Sequence, residues 1–181
     1  PDGDWFKERS LDRRSISCNH RTEFGYWEAD SVLSSREGKS ALATFVERKT
    51  RKYKTYKVTD QTSGAMYKAI KKLLLEFPET VKSITCDRGS EFTNQSYISK
   101  LEKQGIAIYF AKPHSPYERG SNENHNGLLR EYYPKGTNFD QVTQKELNKA
   151  VLAINSRPRK VLHWESANAC FEQEIALLAQ K

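Results

Sequence analysis

Three strand-length segments follow one another between Tyr26 and Val58, and that order constrains the fold more than any other feature of the chain. Tyr26–Leu33 mixes aromatic, apolar and acidic residues. Ala41–Glu47 (ALATFVE) is a second candidate, entered through the turn-like Ser34–Ser40. Lys52–Val58 (KYKTYKV) alternates lysine with Tyr, Thr and Val at a period of two. Joined by short connections, the three are expected to form an antiparallel meander. The lysines of the third predict one solvated face, at a sheet edge guarded against further pairing.

The texture then changes to alternation. Ser63–Phe77 carries Met66, Ile70, Leu73, Leu74 and Phe77 at spacings of three and four, and Pro78 stops it, so a helix is expected. Val81–Asp87 and Ile106–Lys112 read as a fourth and fifth strand around a short helix, Tyr97–Gln104, which Gly105 ends. Pro113 and Pro116 mark a loop. Helices are expected over Arg119–Tyr132, closed by Pro134, over Thr143–Ser156 with a capping box from Thr143 and Glu146, and over Glu165–Leu178. A meander followed by helix–strand alternation predicts an α/β fold with a mixed five-stranded sheet flanked by helices. Trp27 and Trp164 are assigned to its core.

A chain of 181 residues can bury such a core without disulfides. Residues 1–22 are dense in charge and read as an arm or linker, with Trp5 free to meet a partner; residues 23–181 read as the folded unit. A chain that opens this way looks like an excerpt of something longer. Pro1–Arg14 has no apolar signal-peptide core, and no run approaches the roughly 18 apolar residues of a membrane span, so a cytoplasmic location and no membrane partner are expected. Lys and Arg number 30 against 23 Asp and Glu, a net charge of +7, and nucleic acid is the leading partner for such a surface. Cys18, Cys86 and Cys170 are far apart and form no C-x-x-C pair, which argues against a disulfide framework or a zinc site. His20, His114, His125 and His163 show no metal-ligand spacing either.

Three acids stand out by position: Asp30 within the first strand, Asp87 at the end of the fourth, and Glu123 in the first turns of a later helix. An acid in an otherwise buried strand is unfavourable unless it is paired or binds a metal. Two divalent ions about 3.5–4 Å apart would remove that cost and activate a water or 3′-hydroxyl nucleophile. Any one of these acids alone reads more simply as a solvated group at a strand or helix end. The surroundings favour chemistry. Asp87 opens Asp87-Arg88-Gly89-Ser90-Glu91-Phe92, in which Gly89 permits a tight turn, Ser90 can donate, and Glu91 reads as structural. Around Glu123, Arg119, Asn126, Gly127 and Arg130 share one helix face, suited to a DNA backbone, while Leu128, Leu129 and Tyr132 turn to the core. Arg157, Arg159 and Lys160 follow a long amphipathic helix, where they either clamp phosphates or serve the helix dipole.

Five ordered blocks carry a resemblance: GYWEAD (25–30), LATFVERKTRKY (42–53), TCDRGSEF (85–92), SPYERGSNENHNGLLREYYPKGT (115–137) and NSRPRKVLHWESANACF (155–171). They resemble the catalytic domain of the IS-thirty family of bacterial insertion-sequence transposases, from about Arg21 to Phe171. The resemblance implies an RNase H-like fold and a catalytic, metal-binding triad of Asp30, Asp87 and Glu123. It implies two Mg²⁺ or Mn²⁺ ions as cofactors, and cleavage then strand transfer at the ends of the element. Double-stranded DNA is the implied partner, contacted through Arg88, Arg119, Asn126, Arg130, Lys135, Arg157, Arg159 and Lys160. A homodimer in the active complex and a nucleoid-associated bacterial location go with it. Nothing here matches the family's N-terminal helix-turn-helix region, so an isolated catalytic core is expected. Two positions depart from the pattern. Arg88 stands where Asn often follows the second Asp, and Ser166-Ala167-Asn168-Ala169 replaces Thr-Pro-x-Glu. A nuclease that only hydrolyses, and a DNA-binding domain without catalysis, are the two competing readings.

Overall fold

The computed structural model describes residues 1–115, 118 and 120–181. The meander forms as expected: β1 (Tyr26–Leu33), β2 (Ala41–Glu47) and β3 (Tyr53–Val58) pair antiparallel. The chain then passes through α3 (Ser63–Glu76) to β4 (Ser83–Cys86), which pairs parallel to β1, and through α4 (Gln95–Lys103) to β5 (Ala107–Phe110), parallel to β4. The sheet order is β3-β2-β1-β4-β5. Three helices follow: α5 (Gly120–Tyr132), α6 (Gln144–Asn155) and α7 (Ala167–Ala179). Local chemistry sets their starts. Thr143 and Glu146 form the capping box of α6, and the Ser166 side chain accepts from Ala169 N to start α7 at the point where the family pattern is broken.

Strand alternation divides the core into two layers. Trp27 and Ala29 of β1, Ala41, Ala43 and Phe45 of β2, and Tyr56 and Val58 of β3 face Met66, Ile70 and Leu73 of α3 and Ile98 and Leu101 of α4. The opposite face presents Val32, Leu42, Val46 and Tyr53 to Leu129 of α5 and Leu147, Val151 and Ile154 of α6. Trp27 is fully buried, and its Nε1 donates to Thr80 O at 3.0 Å, so the one polar atom of the largest core side chain is satisfied.

The two layers correct the expectation for β3. It is an edge strand, yet neither face is solvated, because α3 covers Tyr56 and Val58 while α6 covers Tyr53. Its lysines reach out from under these helices: Lys54 Nζ pairs with Glu76 at 2.8 Å, and Lys57 Nζ donates to the carbonyls of Asp140 and Val142. Trp164 is a second correction. It is 68% exposed, in a turn where His163 and Trp164 take φ of 53° and 67°, so the backbone swings its ring out of the core. Tyr132 is a third: at the end of α5 it lies at the surface, its hydroxyl accepting from Arg157 Nη2 at 3.0 Å.

Residues 1–22 run along the far edge of the sheet. Short helices α1 (Gly3–Lys7) and α2 (Ile16–Asn19) flank a contact in which Phe110 N of β5 donates to Arg9 O at 2.8 Å. Trp5 and Phe6 pack on the Phe110 ring, and Leu11, Arg14 and Cys18 are buried. Trp5 is therefore occupied within the chain. The segment covers an edge that would otherwise expose unpaired backbone groups. Among the described residues no disulfide joins Cys18, Cys86 and Cys170. Among the described residues no helix is long and apolar enough to cross a membrane.

Candidate active site

Register brings the first two acids together. Glu28 of β1 stands beside Thr85 of the parallel neighbour β4. Two residues further along each chain come Asp30 and Asp87, and the period of two keeps both on the face that α5 covers. Glu123 lies in the first turn of α5, the helix that packs on β1 and β2. Three elements far apart in sequence thus deliver Asp30, Asp87 and Glu123 to one cleft of about 610 Å³. Its other walls are Arg88, Asn126 and the loop Ala111–Ser115 after β5.

Each acid is held differently. Asp30, half-buried, accepts the side-chain amide of Asn126 on Oδ2 at 2.9 Å, and its Oδ1 accepts from Ser31 N. Asn126 is fixed in turn by the Tyr53 hydroxyl, which donates to its Oδ1 at 2.9 Å. Burial and the Asp30 charge push the Tyr53 phenol far up, so it stays a donor. Asp87 is anchored by Gly89 N, which donates to Oδ1 at 2.8 Å. A Cβ on Gly89 would come within 2.4 Å of Glu91 Oε2 and 2.8 Å of Asp87 Oδ1, so a side chain there would push both carboxylates from their present places. Glu91 itself accepts from Ser31 Oγ and Gln61 Nε2, tying β1 to the start of α3, which fits a structural acid. Glu123 is exposed, directed at the cleft.

Beneath the acids the sheet carries a second polar layer. Glu28, fully buried, pairs with Arg48 Nη1 at 2.7 Å and accepts from Asn122 N at 3.4 Å. His125, on the inner face of α5, donates from Nδ1 to Ser121 O at 2.8 Å, which leaves Nε2 to accept from Arg159 Nη1 at 2.9 Å. Burial first, and then the positive charge of Arg159, lower the His125 pKa to about 4, so the ring is neutral at neutral pH.

The expected DNA contacts separate into groups. Arg88 and Asn126 line the cleft, although Arg88 also lies over the Phe6 ring at 4.4 Å. Arg130 donates to the carbonyls of Leu33, Tyr133 and Pro134, and Lys135 is exposed beyond the helix end. Arg157, Arg159 and Lys160 line a separate groove with Asn124 and Leu128. Arg119 lies outside the described residues. Sequence reasoning missed Lys112, His114 and Ser115 as cleft residues; the prolines flagged a loop there without showing that it forms a wall. It also missed Glu28. The signal was present, since Glu28 stands two residues before Asp30 and so on the same face of one strand.

Comparison with known proteins gives the family. Residues 20–116 match the integrase core domain model. The chain belongs to the integrase core domain family. Its kinship within that family is with the IS30-type transposases. It is 41% identical over 91% of its length to a probable transposase for the insertion-like element IS1161 of Streptococcus salivarius, covering 46% of that protein. It is 36% identical over 92% of its length to the transposase InsI for IS30A of Escherichia coli, covering 43% of it. A transposase for IS1086 of Cupriavidus metallidurans is 34% identical over 92% of this chain, and 49% of that transposase is covered. The chain therefore spans about half the length of the curated relatives it matches. Among solved structures, the catalytic core domain of BIV integrase superposes with a TM-score of 0.68 at 17% identity, over 87% of this chain and 99% of that one. A chain of the simian T-cell lymphotropic virus intasome gives 0.60 at 18% identity, over 72% of this chain and 48% of that one. The fold is accordingly RNase H-like, as the integrase-core topology requires.

Proposed function

We propose that this domain cuts and joins DNA at the ends of an insertion element, with Asp30, Asp87 and Glu123 as its catalytic carboxylates. The observation that carries the reading is their convergence on one open cleft from β1, the end of β4 and the first turn of α5. The transposase relatives support the reaction class.

An all-carboxylate donor set suits a hard divalent cation such as Mg²⁺ or Mn²⁺. Among the described residues no three His, Cys, Asp or Glu side chains stand close enough to hold one ion together. Mg²⁺ needs only one or two protein carboxylates, with water and phosphate completing its shell. When bound, such ions supply Lewis acidity at the scissile phosphate and lower the pKa of the attacking hydroxyl. The chain's own groups do the rest. Asn126 aims one Asp30 oxygen, Gly89 N aims one Asp87 oxygen, and α5 carries Glu123 to the open side of the cleft. In the proposed reaction a 3′-hydroxyl or water oxygen gives up its proton to solvent and forms the new P–O bond, the opposite P–O bond breaks, and the leaving oxygen takes up a proton from solvent.

Double-stranded DNA is the proposed substrate. Arg88 at the cleft, exposed Lys135 and Lys160, and half-buried Arg157 are its proposed phosphate contacts. Arg130 and Arg159 are less available, because their guanidinium groups already donate to Leu33 O and His125 Nε2. Two ends must meet in one complex, so the active form is proposed to be a dimer. The test is a joining assay with the full-length transposase, a 3′-hydroxyl donor duplex and Mn²⁺. Asp30→Asn, Asp87→Asn and Glu123→Gln should each abolish both cutting and joining while far-ultraviolet dichroism stays unchanged. Full activity in any one variant removes that residue from the site, and cleavage without joining would make the protein a nuclease.

A further inference from the structure

We propose that a second cavity, lined by Arg14, Arg21 and Arg48, seats a backbone phosphate of the bound DNA outside the carboxylate cleft. This rests on the proposed DNA-joining function and adds to it a binding site that the cleft does not include.

The cavity measures about 440 Å³ and is lined by Leu11, Asp12, Arg14, Asn19, Arg21, Arg48 and Glu118. Its three guanidinium groups are built in rather than dangling. Arg14 and Arg48 are only 8% and 6% exposed. Arg14 donates from Nε to Asn19 Oδ1 at 2.8 Å and from Nη1 to Thr85 Oγ1 at 3.2 Å. Arg48 donates to Cys18 O and Glu28, and Arg21 Nη1 donates to Arg48 O at 3.1 Å. These contacts fix one side of each fork.

Three guanidinium groups meet Glu28, Asp12 and Glu118 here, and Lys112 adds a fourth positive charge beside Asp12. Glu28 is paired with Arg48, and it lies wholly buried behind it. Of the two acids on the cavity wall, Asp12 is an exposed carboxylate 3.9 Å from Lys112, and Glu118 accepts from Lys112 N. Burial first, and then the neighbouring Arg48 charge, lower the Arg14 and Arg21 pKa values, that of Arg21 to about 10. An anion in the cavity would relieve that repulsion.

Position argues for a DNA phosphate over a free ion. Lys112 lines the carboxylate cleft, and its backbone N–H is bonded to Glu118 on the arginine cavity, so the two spaces share a wall. The Glu28 that Arg48 binds also accepts from Asn122 N, one residue before Glu123. A duplex in the cleft would bring its own phosphates past this wall. Planar guanidinium forks in a partly desolvated cavity recognise a phosphodiester oxygen pair well.

The experiment measures binding of a fluorescein-labelled duplex to the chain by anisotropy across a salt series. Arg21→Gln should make the log–log slope shallower by about 0.9, the loss of one phosphate contact, and should weaken binding several-fold at low salt. Arg21→Lys should keep most of the slope. Asp12→Asn, at an exposed position where folding is not at risk, should tighten binding. Melting temperature in inorganic phosphate against chloride at matched ionic strength separates the sources. A phosphate effect that depends on Arg21, combined with unchanged DNA slopes, means a free-anion pocket and overturns the proposal. Equal slopes and affinities in wild type, Arg21→Gln and Asp12→Asn overturn it as well. If the wild-type chain binds no duplex, the proposed function fails with it, whereas an active Asp87→Asn enzyme would fail that function alone.

Discussion

The side-chain amide of Asn126 donates to Asp30 Oδ2 at 2.9 Å, across the gap between helix α5 and strand β1. The same side chain accepts from the Tyr53 hydroxyl, so its orientation is set from edge strand β3 on the same face of the sheet as well. Asn126 is therefore placed to aim a carboxylate, a role different from the phosphate contact that its position on the Glu123 face suggests. Partners that orient a ligating carboxylate typically change metal affinity or activity by about 10–100-fold when removed. Asn126→Ala is expected to lower joining by roughly that factor, to raise the Mn²⁺ concentration needed for half-maximal joining, and to leave duplex affinity within about twofold. Tyr53→Phe should show the same pattern more weakly. A loss of duplex affinity with an unchanged Mn²⁺ requirement would return Asn126 to the DNA contacts.

Glu28 and Arg48 form an ion pair that is almost completely buried, at 2.7 Å. Removing one member leaves the other charge uncompensated, which typically destabilises by about 3–5 kcal/mol. Arg48→Met should approach that figure in urea unfolding. Glu28→Gln/Arg48→Met, which removes both charges of the pair, should recover a substantial part of it. If the double variant is no more stable than Arg48→Met, the pair contributes through more than its charge.

The fold was largely readable from the order of the segments. β1 and β2 take the limits that their residues suggested, because Gly25 and the Ser34–Ser40 turn bound apolar runs of strand length. β3 was misjudged for a physical reason. A period of two in lysines reports where ammonium groups leave the sheet, and it does not reveal that α3 and α6 will cover the stems beneath them. Trp164 and Tyr132 failed similarly, since a large aromatic residue carries no local sign that a left-handed turn or a helix end will lift it from the core. At the site, the acids could be singled out by their places on strands and helix. What holds them could not, because Asn126 meets Asp30, and Asn122 meets Glu28, only after α5 docks on the sheet.

His125 provides a pH signature. Its pKa falls from about 6.5 to about 4 on folding, mainly through burial. The unfolded chain thus binds the proton more readily between those values, and stability rises with pH there. The contribution is fully present above about 6.5 and is lost as pH falls toward 4; a shift of that size corresponds to a few kcal/mol, on the order of 3. His125→Gln, which keeps an acceptor for Arg159, should flatten the rise of unfolding free energy between pH 4.5 and 6.5 relative to wild type. An equally steep rise in the variant would assign the dependence to other groups.

Metal should act on the apo protein even without DNA. Asp30, Asp87 and Glu123 line one cleft, and like charges brought together repel. A cation that binds only the folded chain stabilises it by RT ln(1 + [L]/Kd), about 2.7 kcal/mol at a hundredfold excess over Kd. Mn²⁺ at millimolar concentration is expected to raise the melting temperature of the wild-type chain, and Mg²⁺ to raise it less, since it gives up its water shell reluctantly. Asp87→Asn should abolish the rise while melting slightly higher than wild type in the absence of metal, because one source of repulsion is gone. Chelation should return the wild type to its metal-free value. An undiminished Mn²⁺ effect in Asp87→Asn would place the ion elsewhere on the surface and separate the three carboxylates from metal binding.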